Sequence, residues 1–152
     1  MAGLLVIAHA PLASALRAVA QHVYPECAGS LAALDIAPEM SIEEACAQAA
    51  VALARVESGS GEALILTDVF GATPCNVAQR LADGVRVKVV TGVNVPMLWR
   101  SLCYSSESLD SLVNRALAGA TQGAMQVSPT RPQDQTCKPG DLDATSDLHD
   151  QQ

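Results

Sequence analysis

The sequence predicts an α/β fold: an open, mostly parallel sheet with helices on both faces. Two patterns carry that expectation. Strand-like and helix-like stretches alternate through residues 3 to 127 in the order β-α-β-α-β-α-β, which is what parallel strands joined by crossover helices produce. The first strand, GLLVIA, is apolar at consecutive rather than alternate positions, as a strand covered on both faces requires. A chain of 152 residues, 49% apolar, can bury one core of ordinary size. Aromatic residues make up only 3%, so that core must be built from Ala, Val, Leu and Ile.

Each element has its own local reason. After the first strand, Pro11 suits the first turn of a helix, and Leu12, Leu16, Val19 and Val23 fall on one helical face. SLAALDIA reads as a second, weaker strand. Ser41 and Glu44 form an S-x-x-E capping box ahead of an apolar stripe of Ile42, Ala45, Cys46, Ala49, Leu53 and Val56. ALILTDVF is a third strand, interrupted at Asp68. Thr73 and Pro74 read as N-cap and N1 of a helix carrying Val77 and Leu81. VRVKVVTG alternates enough to sit near an edge of the sheet. Pro96 and MLWRSL open another helix, SLDSLVNRALAGA gives one more, and AMQV reads as a last short strand.

The composition changes near Ser128. Residues 128–152 hold five Asp against one Arg and one Lys, with Leu142 and Leu148 as isolated large apolar residues. Such a segment buries too little apolar surface to offset its ordering entropy, so we expect a domain over residues 1–127 and a disordered acidic tail beyond it. The formal charge of −7 argues against nucleic acid or an anionic membrane surface as a partner. The five cysteines (Cys27, Cys46, Cys75, Cys103 and Cys137) are scattered and never spaced C-x-x-C. That pattern fits free thiols in a cytoplasmic protein rather than a zinc site or disulfide framework. The N-terminus has no basic region before LLVIA, and no apolar run approaches the ~18 residues of a membrane span.

In open parallel sheets, ligands sit outside the carboxyl ends of the strands, near the switch in strand order. His9, Asp68 and the TGVN turn all fall at such ends. A carboxylate beside His9 would hold one ring nitrogen as N–H and leave the other lone pair free to attack. Helix starts at Pro11 and Thr73 would aim backbone N–H groups at the same rim, where an anion is favoured. Gly71 lets the chain turn between Asp68 and the helix. A nucleophilic histidine, an orienting acid and an anion cradle are what a phosphohistidine needs, with no metal or cofactor if phosphoryl passes between histidines. Motifs for a P-loop, a dinucleotide fold or a serine nucleophile are absent from the sequence.

Three stretches, VIAHAP, LTDVFGATPCN and TGVNVPML, occur in that order over residues 3 to 127. With them the chain resembles the enzyme IIA domain of the mannose-type branch of the bacterial phosphoenolpyruvate-dependent sugar phosphotransferase system. The resemblance implies that His9 accepts phosphoryl from the carrier protein HPr and that Asp68 is its partner acid. It also places Thr73 beside the phosphate and Ala10, Gly71, Ala72, Asn76 and Gly92 on the phosphate-binding rim. It further implies an antiparallel C-terminal edge strand, AMQV here, and a homodimer formed through it.

No Ala/Pro-rich linker to a IIB domain follows. The recipient is then a separate IIB-type protein, or the phosphorylated state is itself a signal. The IIA-like subunit of a dihydroxyacetone kinase relay is an alternative. A receiver-like module phosphorylated on Asp68 is a different class, as is a docking module without phosphoryl transfer. The receiver needs acids after the first strand to hold Mg²⁺, where this chain has His9 and Ala10.

Overall fold

The computed structural model describes residues 1–57 and 59–130. Four strands, β1 (Gly3–His9), β2 (Leu31–Ile36), β3 (Ala63–Thr67) and β4 (Val87–Thr91), form one parallel sheet in the order β2-β1-β3-β4. Five α-helices cover it: α1 (Leu12–Val23), α2 (Ile42–Val56), α3 (Thr73–Leu81), α4 (Val95–Cys103) and α5 (Leu109–Gly123). The α/β class and open parallel sheet are therefore as the sequence predicts, with β4 at an edge.

Alternation along the central strands builds two cores. Leu4, Val6, Ala8, Leu64 and Leu66 face α1, α4 and α5, together with Leu16, Met97, Leu98 and Leu112. Leu5, Ile7 and Ile65 face α2 and α3, together with Ala45, Ala49, Leu53 and Val77. Both faces of β1 and β3 are thus covered, which is why their sequences are apolar at every interior position.

Local signals place most boundaries. The Ser41 hydroxyl accepts the Glu44 N–H at 3.1 Å and starts α2. Asn94 starts α4 by accepting the Met97 N–H at 2.9 Å, and its amide donates to the Ala120 carbonyl of α5 at 3.2 Å. Two caps shift by one residue. Pro11 is the N-cap of α1 rather than its first helical residue, and Ala72 takes the N-cap of α3, with Thr73 inside the helix. A proline or threonine suits adjacent positions of a first turn, so sequence alone does not separate them.

Two expectations are corrected. The buried side of α1 is Ala13, Leu16 and Ala20, while Leu12, Val19 and Val23 are exposed. Side-chain size suggested the wrong stripe: alanines face the sheet and the larger residues of the neighbouring stripe face out. The antiparallel strand expected at AMQV does not form either. Residues 124–130 carry no regular structure, and Met125 and Val127 are exposed. A strand exists only through a neighbour's backbone, and these residues pair with no strand among the described residues. Of the segment assigned to an acidic tail, residues 131–152 lie outside the described residues.

Thr67, the last residue of β3, is fully buried, and its hydroxyl has no hydrogen-bond partner among the described residues. A buried hydroxyl without a partner costs about 1–3 kcal/mol, and valine has nearly the same shape. Thr67→Val is expected to raise the melting temperature by a few degrees, measured by circular dichroism. A fall would show that the hydroxyl has a partner.

Candidate functional site

The crossover that leaves β1 runs to β2 on one side and the crossover that leaves β3 runs to β4 on the other, so the sheet's switch point lies between β1 and β3. The β1–β3 ladder ends at the pair Ile7 and Thr67. Asp68 comes directly after Thr67 and His9 two residues after Ile7, on either side of the opening.

They are in direct contact. The Asp68 Oδ2 accepts the His9 backbone N–H at 2.9 Å and lies 2.6 Å from His9 Nδ1. Its other oxygen, Oδ1, accepts the Val69 N–H at 2.9 Å. A carboxylate can only accept, so Nδ1 carries the hydrogen, and in the neutral ring the lone pair is then on Nε2. The His9 side chain is 53% exposed and that of Asp68 13%: the acid is tucked beneath the ring, and the ring opens to solvent.

Burial pushes the Asp68 carboxyl upward. The hydrogen bonds from the His9 N–H, the His9 ring and the Val69 N–H outweigh that, and leave its pKa below the ordinary carboxylate value.

Three loops frame the pair. In the first, Ala10 is exposed beside His9 and its N–H donates to the Ile36 carbonyl of β2 at 3.0 Å. The second runs from Asp68 to Ala72. Gly71 has a φ of 84° there, a conformation open to glycine at little cost, and the Asn76 amide donates back to its carbonyl at 3.4 Å. Thr73 follows, half-buried, in the first turn of α3.

In the third loop Gly92, with φ 82°, donates its N–H to the Asp68 carbonyl at 3.0 Å, and the Val93 N–H reaches the Thr67 carbonyl at 2.9 Å. The TGVN turn is therefore bonded to the Asp68 backbone. His9 and Asp68 meet, and the other candidate residues lie on these loops or at the start of α3. His22 is near the end of α1, away from the rim.

Two further features of the site give only a faint signal in the sequence. Each loop exposes an apolar side chain at or near the start of its helix: Leu12, then Val69 and Phe70, then Val95. Phe70 is the only phenylalanine of the chain and is 75% exposed, and an aromatic among turn residues was the available signal. Asp35, in β2, accepts the Ser14 N–H of α1 at 3.0 Å; its signal was an acid in a strand otherwise made of Leu, Ala and Ile. The site itself is open. A cavity of about 680 Å³ lies at the other end of the sheet, lined in part by Gly3, Arg17, Leu31 and Arg55, and does not reach His9. Among the described residues no helix is long and apolar enough to cross a membrane.

The class that the fold and site define is an open parallel α/β protein with an acid-backed histidine exposed at its switch point. The family follows from comparison: the model described as PTS system fructose IIA component matches residues 3–117, and the chain belongs to that family. The mannose-specific EIIAB component of the phosphotransferase system of Escherichia coli K12 is 31% identical over 101 residues, 63% of this chain and 31% of that protein. The chain thus spans about a third of that relative's length. The mannose/sorbose-specific IIA subunit from Enterococcus faecalis superposes with a TM-score of 0.75 at 25% identity, covering 86% of this chain and 98% of the other. Component EIIA from Streptococcus agalactiae shares the fold, with a TM-score of 0.71 at 22% identity over 83% and 97% of the two chains.

Because the Asp68 pKa is lowered on folding, its contribution to stability is present above the ordinary carboxylate pKa. It is lost as pH falls through the lower, folded value. The melting-temperature gap between wild type and Asp68→Asn should be full at neutral pH and close as the medium is acidified below pH ~4. A gap independent of pH would mean that the carboxylate is not held by these contacts.

Proposed function

We propose that this protein is a phosphohistidine carrier: His9 takes phosphoryl from phospho-HPr and hands it to a separate IIB-type protein, or carries it as a regulatory signal. One observation supports this above the rest. The Nδ1 of an exposed imidazole is 2.6 Å from a carboxylate whose pKa is lowered, leaving Nε2 as the nucleophile. Family membership points the same way.

In the proposed step, the Nε2 lone pair attacks the donor's phosphorus. The donor's P–N bond breaks and its electron pair returns to the donor imidazole. His9 keeps its hydrogen on Nδ1 and gains imidazolium character, which the Asp68 carboxylate balances. None of residues 9–13, 68–76 and 91–97 is lysine or arginine. The charge on the transferred group is therefore met from this chain by N–H groups at the starts of α1 and α3, with Thr73 as a hydroxyl contact and Ala10, Gly71, Ala72, Asn76 and Gly92 shaping the rim. The open site with its apolar collar suits delivery by a protein rather than capture of a small molecule. This reading places the protein in the cytoplasm with HPr.

Incubation with phosphoenolpyruvate, enzyme I and HPr should add one acid-labile, alkali-stable phosphoryl group to the wild type and none to His9→Ala. Label that persists in His9→Ala, or that hydroxylamine removes as it would an acyl phosphate, would defeat the reading.

A further inference from the structure

We propose that Asp35 is a positioning residue for the chemistry at His9, acting through the amino end of α1; the inference rests on the phosphohistidine reading above. β1 is flanked by β2 and β3, and each neighbour contributes an aspartate near its carboxyl end. Asp68, after β3, holds the backbone and ring of His9. Asp35, in β2, takes the Ser14 N–H at 3.0 Å through Oδ1. Between them the Ala10 N–H is bonded to the Ile36 carbonyl at 3.0 Å. The turn from strand to helix is pinned at residues 9, 10 and 14 by groups from both neighbouring strands.

α1 needs that help because it has no cap of its own. Pro11 at the N-cap makes no side-chain hydrogen bond, and the first turn holds no acidic residue. Ser14 is the third residue of the helix, the position whose N–H an N-cap side chain ordinarily satisfies. Here the acceptor comes from the next strand, placed by the register that pairs Asp35 with Ala8 and Ile36 with His9. An aspartate is a poor strand residue, and a half-buried carboxylate is costly without donors. The Ser14 N–H supplies one, and so a residue unfavourable to β2 fixes where α1 begins relative to the imidazole.

The consequence is geometric. The N–H groups of the first turn aid a phosphoryl group on Nε2 only if they are aligned when it arrives, and Asp35 keeps that turn from fraying. An amide oxygen in its place would accept the same hydrogen bond without the charge, so asparagine should serve and alanine should not.

The test uses wild type, Asp35→Asn and Asp35→Ala, with Asp35→Val as a strand-compatible non-acceptor should the alanine variant fail to fold. The donor is phospho-HPr, whose P–N bond breaks and returns its electron pair to the donor imidazole as the P–Nε2 bond forms. Initial rates of His9 labelling are read alongside amide exchange at Ser14 and thermal melts. The alanine and valine variants should label about five- to tenfold more slowly and lose protection at Ser14, while the asparagine variant stays within about twofold of wild type in rate. Folded alanine or valine variants that label at the wild-type rate would overturn the role of Asp35 and leave the phosphohistidine reading standing. An asparagine variant as slow as alanine would overturn it too. An unlabelled wild type would overturn the phosphohistidine reading and this proposal with it.

Discussion

The hydrogen bonds between Asp68 and His9 are the constraint on which the rest of the site depends. Where the β1–β3 ladder stops at Ile7 and Thr67, the next backbone donor, the His9 N–H, goes to a side-chain carboxylate. That one carboxylate closes the end of the sheet, fixes the imidazole by Nδ1 and is itself steadied by the Val69 N–H. The strands can then diverge into their helices without leaving the histidine's backbone unpaired. The acid is largely buried while the ring it holds is about half exposed.

The same economy runs through the rim. The third loop is bonded by its backbone to Asp68 and Thr67, and Gly71 and Gly92 take positive φ in the second and third loops. Fixed backbone donors need little reorganisation when charge arrives. An exposed imidazole on such a frame suits transfer between proteins, where the partner completes the site and excludes water only while it is docked.

Much of this was legible in the residues. The unbroken apolar runs of β1 and β3 marked a sheet covered on both faces, and strand ends followed by helix starts placed His9 and Asp68 on one rim. The capping box at Ser41 and Glu44 located α2 because its geometry is local. What escaped the sequence depends on tertiary placement. The face of α1 was misjudged because Ala13 and Ala20 have little side chain to signal burial, while the larger Val19 and Val23 lie exposed. AMQV looked like a strand, but pairing is a property of two segments and cannot be read from one. The contact of Asp35 with the Ser14 N–H is not legible because the two lie 21 positions apart and only the β1–β2 register brings them together.

The most direct measurement is the rate of phosphoryl transfer from phospho-HPr to Asp68→Asn, followed by rapid quench beside a thermal melt. If Asp68 fixes the imidazole and balances the charge of its product, the folded variant should transfer more slowly by roughly 30–150-fold, the equivalent of ~2–3 kcal/mol for one charge-assisted contact. Asparagine can still bond the ring, so transfer should be impaired rather than abolished. A folded variant that transfers at the wild-type rate would contradict the account, leaving Asp68 as no more than the residue that closes the end of the sheet.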